Sequence, residues 1–210
     1  MRTIVRTPAP NCLAAQSGEW DTFMGTPCHG AVGAHLRREQ QGLCCYCESR
    51  VADGHGHIEH MEPRRHNPAR TYDGSNLAIS CNGGRVEHCG RYKDDRHKNP
   101  HHAWDARRFA PPHDPATVGL FQYVDDGSIR ATAADPSKAE YMIGYLGLNC
   151  ARLSERRKQH ASELLDALGE EPDPNLVTFL RQYYLDAAAN GPLQPFYSLS
   201  RTILEPSPLR

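Results

Sequence analysis

Cys44 and Cys47 stand at the C-x-x-C spacing of a zinc knuckle, and the same stretch, LCCYCESRVADGHGHIEH (residues 43–60), runs on into histidines and a carboxylate, ending in Glu59-His60. Thiolates are soft ligands suited to zinc, whereas carboxylate and imidazole suit a harder ion and proton transfer. Ligands for two kinds of metal therefore lie within a few residues of each other. A second thiol pair, Cys81 and Cys89, completes a four-cysteine set of the kind that closes a structural zinc site. The spacing of that pair is wider than in a knuckle, which leaves His88 as an alternative to Cys89. A redox role for Cys44-x-x-Cys47 is disfavoured, because no thioredoxin-like βαβ pattern surrounds it.

Short elements must deliver these ligands. AVGAHLRREQQGLC has Val32 and Leu36 at helical spacing and predicts a helix closed by Gly42, which hands the chain to Cys44. HGHIEHMEP reads as a strand ended by Pro63, SNLAIS as a second short strand, and a helix follows from about Cys89 to Lys98. Glu59 and His60 then sit at a strand end, with Asn76 on the return strand and the second thiol pair between that strand and the helix. His55 and His57 fall in a Gly-rich loop and are not assigned as ligands; HKNPHH (97–102) reads as an exposed polar loop. Upstream, residues 1–27 read as an irregular arm anchored by Trp20 and Phe23. Downstream, 99–118 is a proline-punctuated crossing loop, and GLFQYVDDGSIRATA is a hairpin turning at Asp126-Gly127. SKAEYMIGYLGLNCARLSERRKQHASELLDALG is helical with a break near Gly147-Leu148-Asn149, and NLVTFLRQYYLDAA is a further helix.

The formal net charge of −1 gives the whole molecule no pull on a polyanion, so any attraction to nucleic acid must be local. Such a patch exists between Arg64 and Lys98, where eight Lys and Arg face four acids. No apolar run approaches the roughly 18 residues of a membrane span, and MRTIVRTPAPNCLAAQ lacks the apolar region of a signal peptide. The expectation is a cytoplasmic protein whose scattered cysteines, Cys12, Cys28 and Cys150, serve packing rather than disulfides.

QGLCCYCE, IEHMEP, NLAISC and HCGRYK, together with MRTI, DGSI and LGLNCARLSERR, resemble the PtuB-like HNH endonucleases of Septu and retron-associated anti-phage defence systems, members of the ββα-metal superfamily. The resemblance covers most of the chain, the C-terminal third by pattern only. It implies an α+β protein with an N-terminal arm and helix (1–42), a zinc-braced ββα-metal (HNH) core (43–98), and a hairpin and mainly helical region (99–210) that packs on the core and binds a partner. It implies DNA cleavage by metal-assisted hydrolysis. His60 would be the general base, since an imidazole suits proton transfer near neutral pH. Glu59 would hold a catalytic Mg²⁺ or Mn²⁺, ions that prefer oxygen ligands. Asn76 would orient His60 or hold the loop, Asp94 would present the second ligand, with His88, Asp95 and His97 as alternates, and Arg91 and Lys93 would hold phosphate.

One departure matters: Gly90 stands where many HNH proteins carry His or Asn directly after the second zinc cysteine, which leaves the second ligand open. The partners implied are DNA, an ABC/AAA-like ATPase subunit and, in a retron, a reverse transcriptase with its non-coding RNA and DNA; no membrane is implied. The apolar stretches in NLVTFLRQYYLDAA and PFYSLSRTIL offer a docking surface for the larger subunit. The alternative from another class is a zinc-dependent nucleic-acid- or protein-binding module without nuclease activity. Intact Glu59, His60 and Asn76 weigh against it.

Overall fold

The computed structural model describes residues 1–52, 55–186 and 191–205. The side chain of Arg85, counted in the basic patch, and residues 187–188, assigned above to the last predicted helix, lie outside the described residues.

The arm is less irregular than its composition suggests. It contains two helical turns, α1 (Asn11–Ala14) and α2 (Trp20–Phe23), and both anchors, Trp20 and Phe23, are buried. Cys12 and Cys28 form a disulfide, which corrects their reading as packing thiols: α1 and the start of the next helix approach to a Cα–Cα distance of 5.9 Å, within bridging range.

That helix, α3 (Pro27–Glu39), starts on Thr26, whose hydroxyl accepts the His29 N–H, with Pro27 in the first turn where its missing N–H costs nothing. Its end differs from expectation by one residue. Both Gln41 (φ 53°) and Gly42 (φ 76°) are left-handed, and their N–H groups bond the carbonyls of Arg38 and Arg37, the Schellman pattern with Gln41 in the first position past the cap and Gly42 in the second.

Strands β1 (His57–His60) and β2 (Leu77–Ser80) pair antiparallel, with Ile58 opposite Ile79 and His60 opposite Leu77. A two-strand sheet leaves an outer edge whose N–H and C=O groups need partners. Gln40, fully buried, supplies them: its side-chain oxygen accepts the Ile79 N–H (2.6 Å), and its NH₂ donates to the carbonyls of Ile79 (2.8 Å) and Leu43 (2.8 Å). The Cys45 N–H adds a bond to the Ile79 carbonyl, so the cysteine knuckle is docked on the edge of β2.

Two short helices follow, α4 (Gly83–Val86) and α5 (Cys89–Asp94). α5 stops four residues before the predicted Lys98. The Asp95 carboxylate accepts the N–H groups of His97 and Lys98, a local turn that competes with helix continuation. The crossing segment ends in an unpredicted 3₁₀ turn (Pro115–Leu120) capped by Asp114.

β3 (Phe121–Tyr123) and β4 (Ile129–Ala131) form the expected hairpin; at its turn a Cβ on Gly127 (φ 84°) would overlap the Ser154 carbonyl oxygen, so only glycine fits. α6 (Pro136–Tyr145) and α7 (Ala151–Leu168) are separated at Gly147 as predicted, and α8 (Pro174–Leu185) and α9 (Tyr197–Leu204) complete an α+β fold. Among the described residues no helix is long and apolar enough to cross a membrane.

One core draws on residues from Met1 to Leu199, and Leu164, Leu180 and Leu204 form a smaller cluster. PFYSLSRTIL is therefore not an open docking surface. Phe196, Leu199 and Leu204 are buried, and the Ser198 N–H and hydroxyl both donate to the buried Glu48 carboxylate at 2.8 and 2.6 Å. The exposed apolar side chains nearby are Phe179 and Tyr183 on α8, ring-stacked on each other, and Leu165 on α7.

Candidate functional site

The knuckle turn after Leu43 brings Cys44 and Cys47 against Cys81, which follows β2, and Cys89, which opens α5. All four sulfurs lie within 4.8 Å of one another. The sulfur separations are 3.8 Å for Cys44 to Cys89 and 3.7 Å for Cys47 to Cys81. A tetrahedral zinc with bonds of about 2.3 Å places its sulfurs about 3.8 Å apart, so the donor set fits zinc in type, number and spacing. The open choice between Cys89 and His88 falls to Cys89; His88 Nδ1 lies outside the quartet, 3.1 Å from the Cys89 sulfur. Burial pushes the Cys45 and Cys89 thiols up, while at Cys44 the hydrogen bonds from neighbouring thiols outweigh burial and hold it well below the usual thiol range.

Glu59 and Lys93 meet behind this cluster, and both are buried. Glu59 Oε1 accepts from the Tyr46 hydroxyl (3.1 Å) and from Lys93 Nζ (3.1 Å); Oε2 lies 3.2 Å from His57 Nε2. The ammonium also donates to the His60 carbonyl (3.1 Å) and to Asp94 Oδ1 (2.9 Å). Its three protons thus have three acceptors inside the protein. Lys93, expected to hold phosphate, is instead a buried counter-ion. Burial raises the Glu59 carboxyl, but Lys93 and the His57 hydrogen bond outweigh it, and the group is held below its ordinary value. Lys93→Met keeps the apolar stem and removes the charge, leaving Glu59 uncompensated. We expect a stability loss of about 3–5 kcal/mol, read as a reduced denaturation midpoint; an unchanged midpoint would show that the pair is dispensable.

His60 is buried at the strand end, with the Trp20 ring edge-on at 4.4 Å. Its Nε2 lies 2.9 Å from the Thr71 carbonyl oxygen, which only accepts, so Nε2 carries the proton and Nδ1 the lone pair. Burial, working against that carbonyl, lowers its pKa to about 4, and the ring is neutral at physiological pH. The Asn76 side chain makes no hydrogen bond to His60. Its Oδ1 accepts the Glu62 N–H (2.8 Å) and its Nδ2 donates to the carbonyls of Glu62 (3.1 Å) and Arg70 (3.3 Å), so of its two suggested roles the geometry provides the loop-holding one.

An open cleft of about 820 Å³ exposes this centre, floored by His57, Glu59 and His60 and flanked by Arg64, Arg65 and Arg91. Asp94 reaches it but is shared between Lys93 and Arg65 (3.5 Å), and the lysine stands between it and Glu59. Of the alternates, Asp95 lines the rim with its carboxylate on backbone N–H groups, His88 sits with the thiols, and His97 is not among the lining residues. Among the described residues the cysteine quartet alone groups three or more metal-ligating side chains. For a hard cation the fit is through Glu59 Oε2, which faces the backbone of Gly90: a Cβ there would overlap that oxygen.

Three contributors to the site escaped the sequence reading. From sequence Trp20 reads only as an anchor, and Tyr46 carries no signal of its own. His57 reads as a loop residue, although its i, i+2 relation to Glu59 is the signal that both face the same side of a strand. Compared with known proteins, the chain matches no family model and has no significant similarity to any curated protein.

Proposed function

We propose that the protein is an HNH-type endonuclease that hydrolyses DNA phosphodiester bonds with His60 as general base. The carrying observation is a neutral imidazole, its Nδ1 lone pair uncommitted, beside a buried ionised carboxylate at the floor of an arginine-flanked cleft. A hard divalent ion such as Mg²⁺ or Mn²⁺ held by Glu59 would offset charge on the phosphorane and on the leaving 3′-oxygen. The side chains supply the rest. Arg64, Arg65 and Arg91 hold backbone phosphates in the cleft; His60 Nδ1 takes the proton from the attacking water; the Nε2–H bond to Thr71 fixes the ring and stabilises the imidazolium that forms. The four thiolates would hold zinc as a brace joining the knuckle to the start of α5, with no part in the hydrolysis.

We further propose that the chain works with an ATPase subunit in a defence complex. With a net charge of −1 it neutralises few phosphates, and each such contact contributes only about 0.9 to the salt slope of duplex binding. Phe179 and Tyr183 are the docking residues we assign. The test is plasmid cleavage by the zinc-loaded chain with and without Mg²⁺ or Mn²⁺ and with and without the ATPase. Expected are divalent-dependent cutting, slow for the chain alone at physiological salt, and stimulation that Phe179→Asp/Tyr183→Asp abolishes. Binding without cleavage under every condition would instead identify the zinc-dependent binding module.

A further inference from the structure

We propose that His57 joins Glu59 as a ligand of the divalent ion, in the space that a side chain at position 90 would otherwise fill; the assignment rests on the hydrolytic reading above. The two residues alternate along β1 and present Nε2 and Oε2 3.2 Å apart. Neighbouring ligands of an octahedral ion with bonds of about 2.1 Å lie about 3.0 Å apart, so these two atoms already stand near the required spacing. The missing Cβ of Gly90 makes the room: at that position it would overlap Glu59 Oε2 and stand 2.9 Å from His57 Nε2. Beside the ionised Glu59, Nε2 carries the proton of this contact, so coordination takes the other tautomer, with the proton moved to Nδ1, which is buried and has no hydrogen-bond partner of its own.

The division of labour on Glu59 agrees. Tyr46 and Lys93 take Oε1, which leaves Oε2 for the ion, while Asp94 is held away on Lys93 and Arg65. An imidazole and carboxylate pair also binds Mn²⁺ more tightly than the harder Mg²⁺.

Mn²⁺ is the probe, added to the zinc-loaded full chain and followed by electron paramagnetic resonance. Wild type is expected to bind Mn²⁺ with a directly coordinated imidazole nitrogen in the spin-echo modulation. His57→Ala should remove that coupling and weaken Mn²⁺ binding at least about tenfold, the lower end of what even outer-shell partners contribute; Asp94→Ala should change neither. Gly90→Ala, which keeps every ligand but fills the space, should also weaken binding, and it carries the test if His57→Ala does not fold. A wild-type spectrum without nitrogen coupling, or affinity unchanged in His57→Ala or Gly90→Ala, overturns the assignment. DNA cleavage by wild type together with an unaltered His57→Ala spectrum would remove His57 as a ligand and leave the nuclease proposal standing. A nitrogen-coupled Mn²⁺ lost in His57→Ala, in a chain that cuts no nucleic acid, would do the reverse.

Discussion

Cys44→Ser or Cys81→Ser is expected to strip zinc from the protein and unfold the region around the knuckle, β2 and the start of α5. Structural zinc sites of this type bind with apparent free energies of about 10–16 kcal/mol, as large as the whole stability of a typical domain, about 5–15 kcal/mol. Here the leverage is greater because the four thiols come from segments with little regular structure of their own: a turn, a strand end and a six-residue helix. Without the ion, four sulfurs in mutual contact, three of them on buried residues, cannot all ionise, and each neutral thiol is a poor partner for the next. Elemental analysis should find about one zinc per wild-type chain, as a closed tetrahedral thiolate site requires, and much less in either variant, with a lowered thermal midpoint. Cys45→Ala is the control, since Cys45 lies outside the quartet; it should keep its zinc. Well-folded protein without zinc, or full zinc and an unchanged midpoint in Cys44→Ser, would rule out the brace.

For His60→Ala we expect a fall in cleavage of about 10²–10⁴-fold with zinc content unchanged. The imidazole makes one hydrogen bond to a loop carbonyl and one edge contact with Trp20, and touches none of the four thiols. Its removal therefore acts on proton transfer before it acts on the fold. The comparison that separates the two is activity against thermal midpoint in the same preparation. A midpoint near wild type with activity lost assigns the proton transfer to His60. Near-normal cutting by a folded His60→Ala preparation, free of contaminating nuclease, would move the base elsewhere.

Signals confined to a few consecutive residues are legible in the sequence. Asp126-Gly127 between two alternating runs predicts the β3–β4 hairpin, Gly147 the break between α6 and α7, and Leu77–Ser80 a short strand returning beside Glu59. The cysteine quartet is legible for the same local reason: thiolates in two pairs flanking two short strands have few other uses. The end of α5 differs from its helical pattern for a reason of the same local kind: the turn made by the Asp95 carboxylate competes with the helix.

Other features depend on which element faces which, and no window of sequence carries that. Whether Lys93 meets solvent or Glu59 is decided by the packing of α5 against β1, and once there its charge is committed to two carboxylates and a carbonyl. The same packing brings Gly90 against the His57–Glu59 pair, so that an absence at one position becomes space at another. Cys12 and Cys28 become a disulfide because α1 docks beside α3, and one face of α9 is buried where its Ser198 donors meet Glu48, far away in sequence. Ligand types, their order and the short elements that bear them are written in the chain itself, since these follow from side-chain chemistry and backbone periodicity. Tertiary structure alone decided which charges are neutralised, which face the cleft and which are out of reach, because burial and electrostatics are set by groups that meet only when the chain is folded.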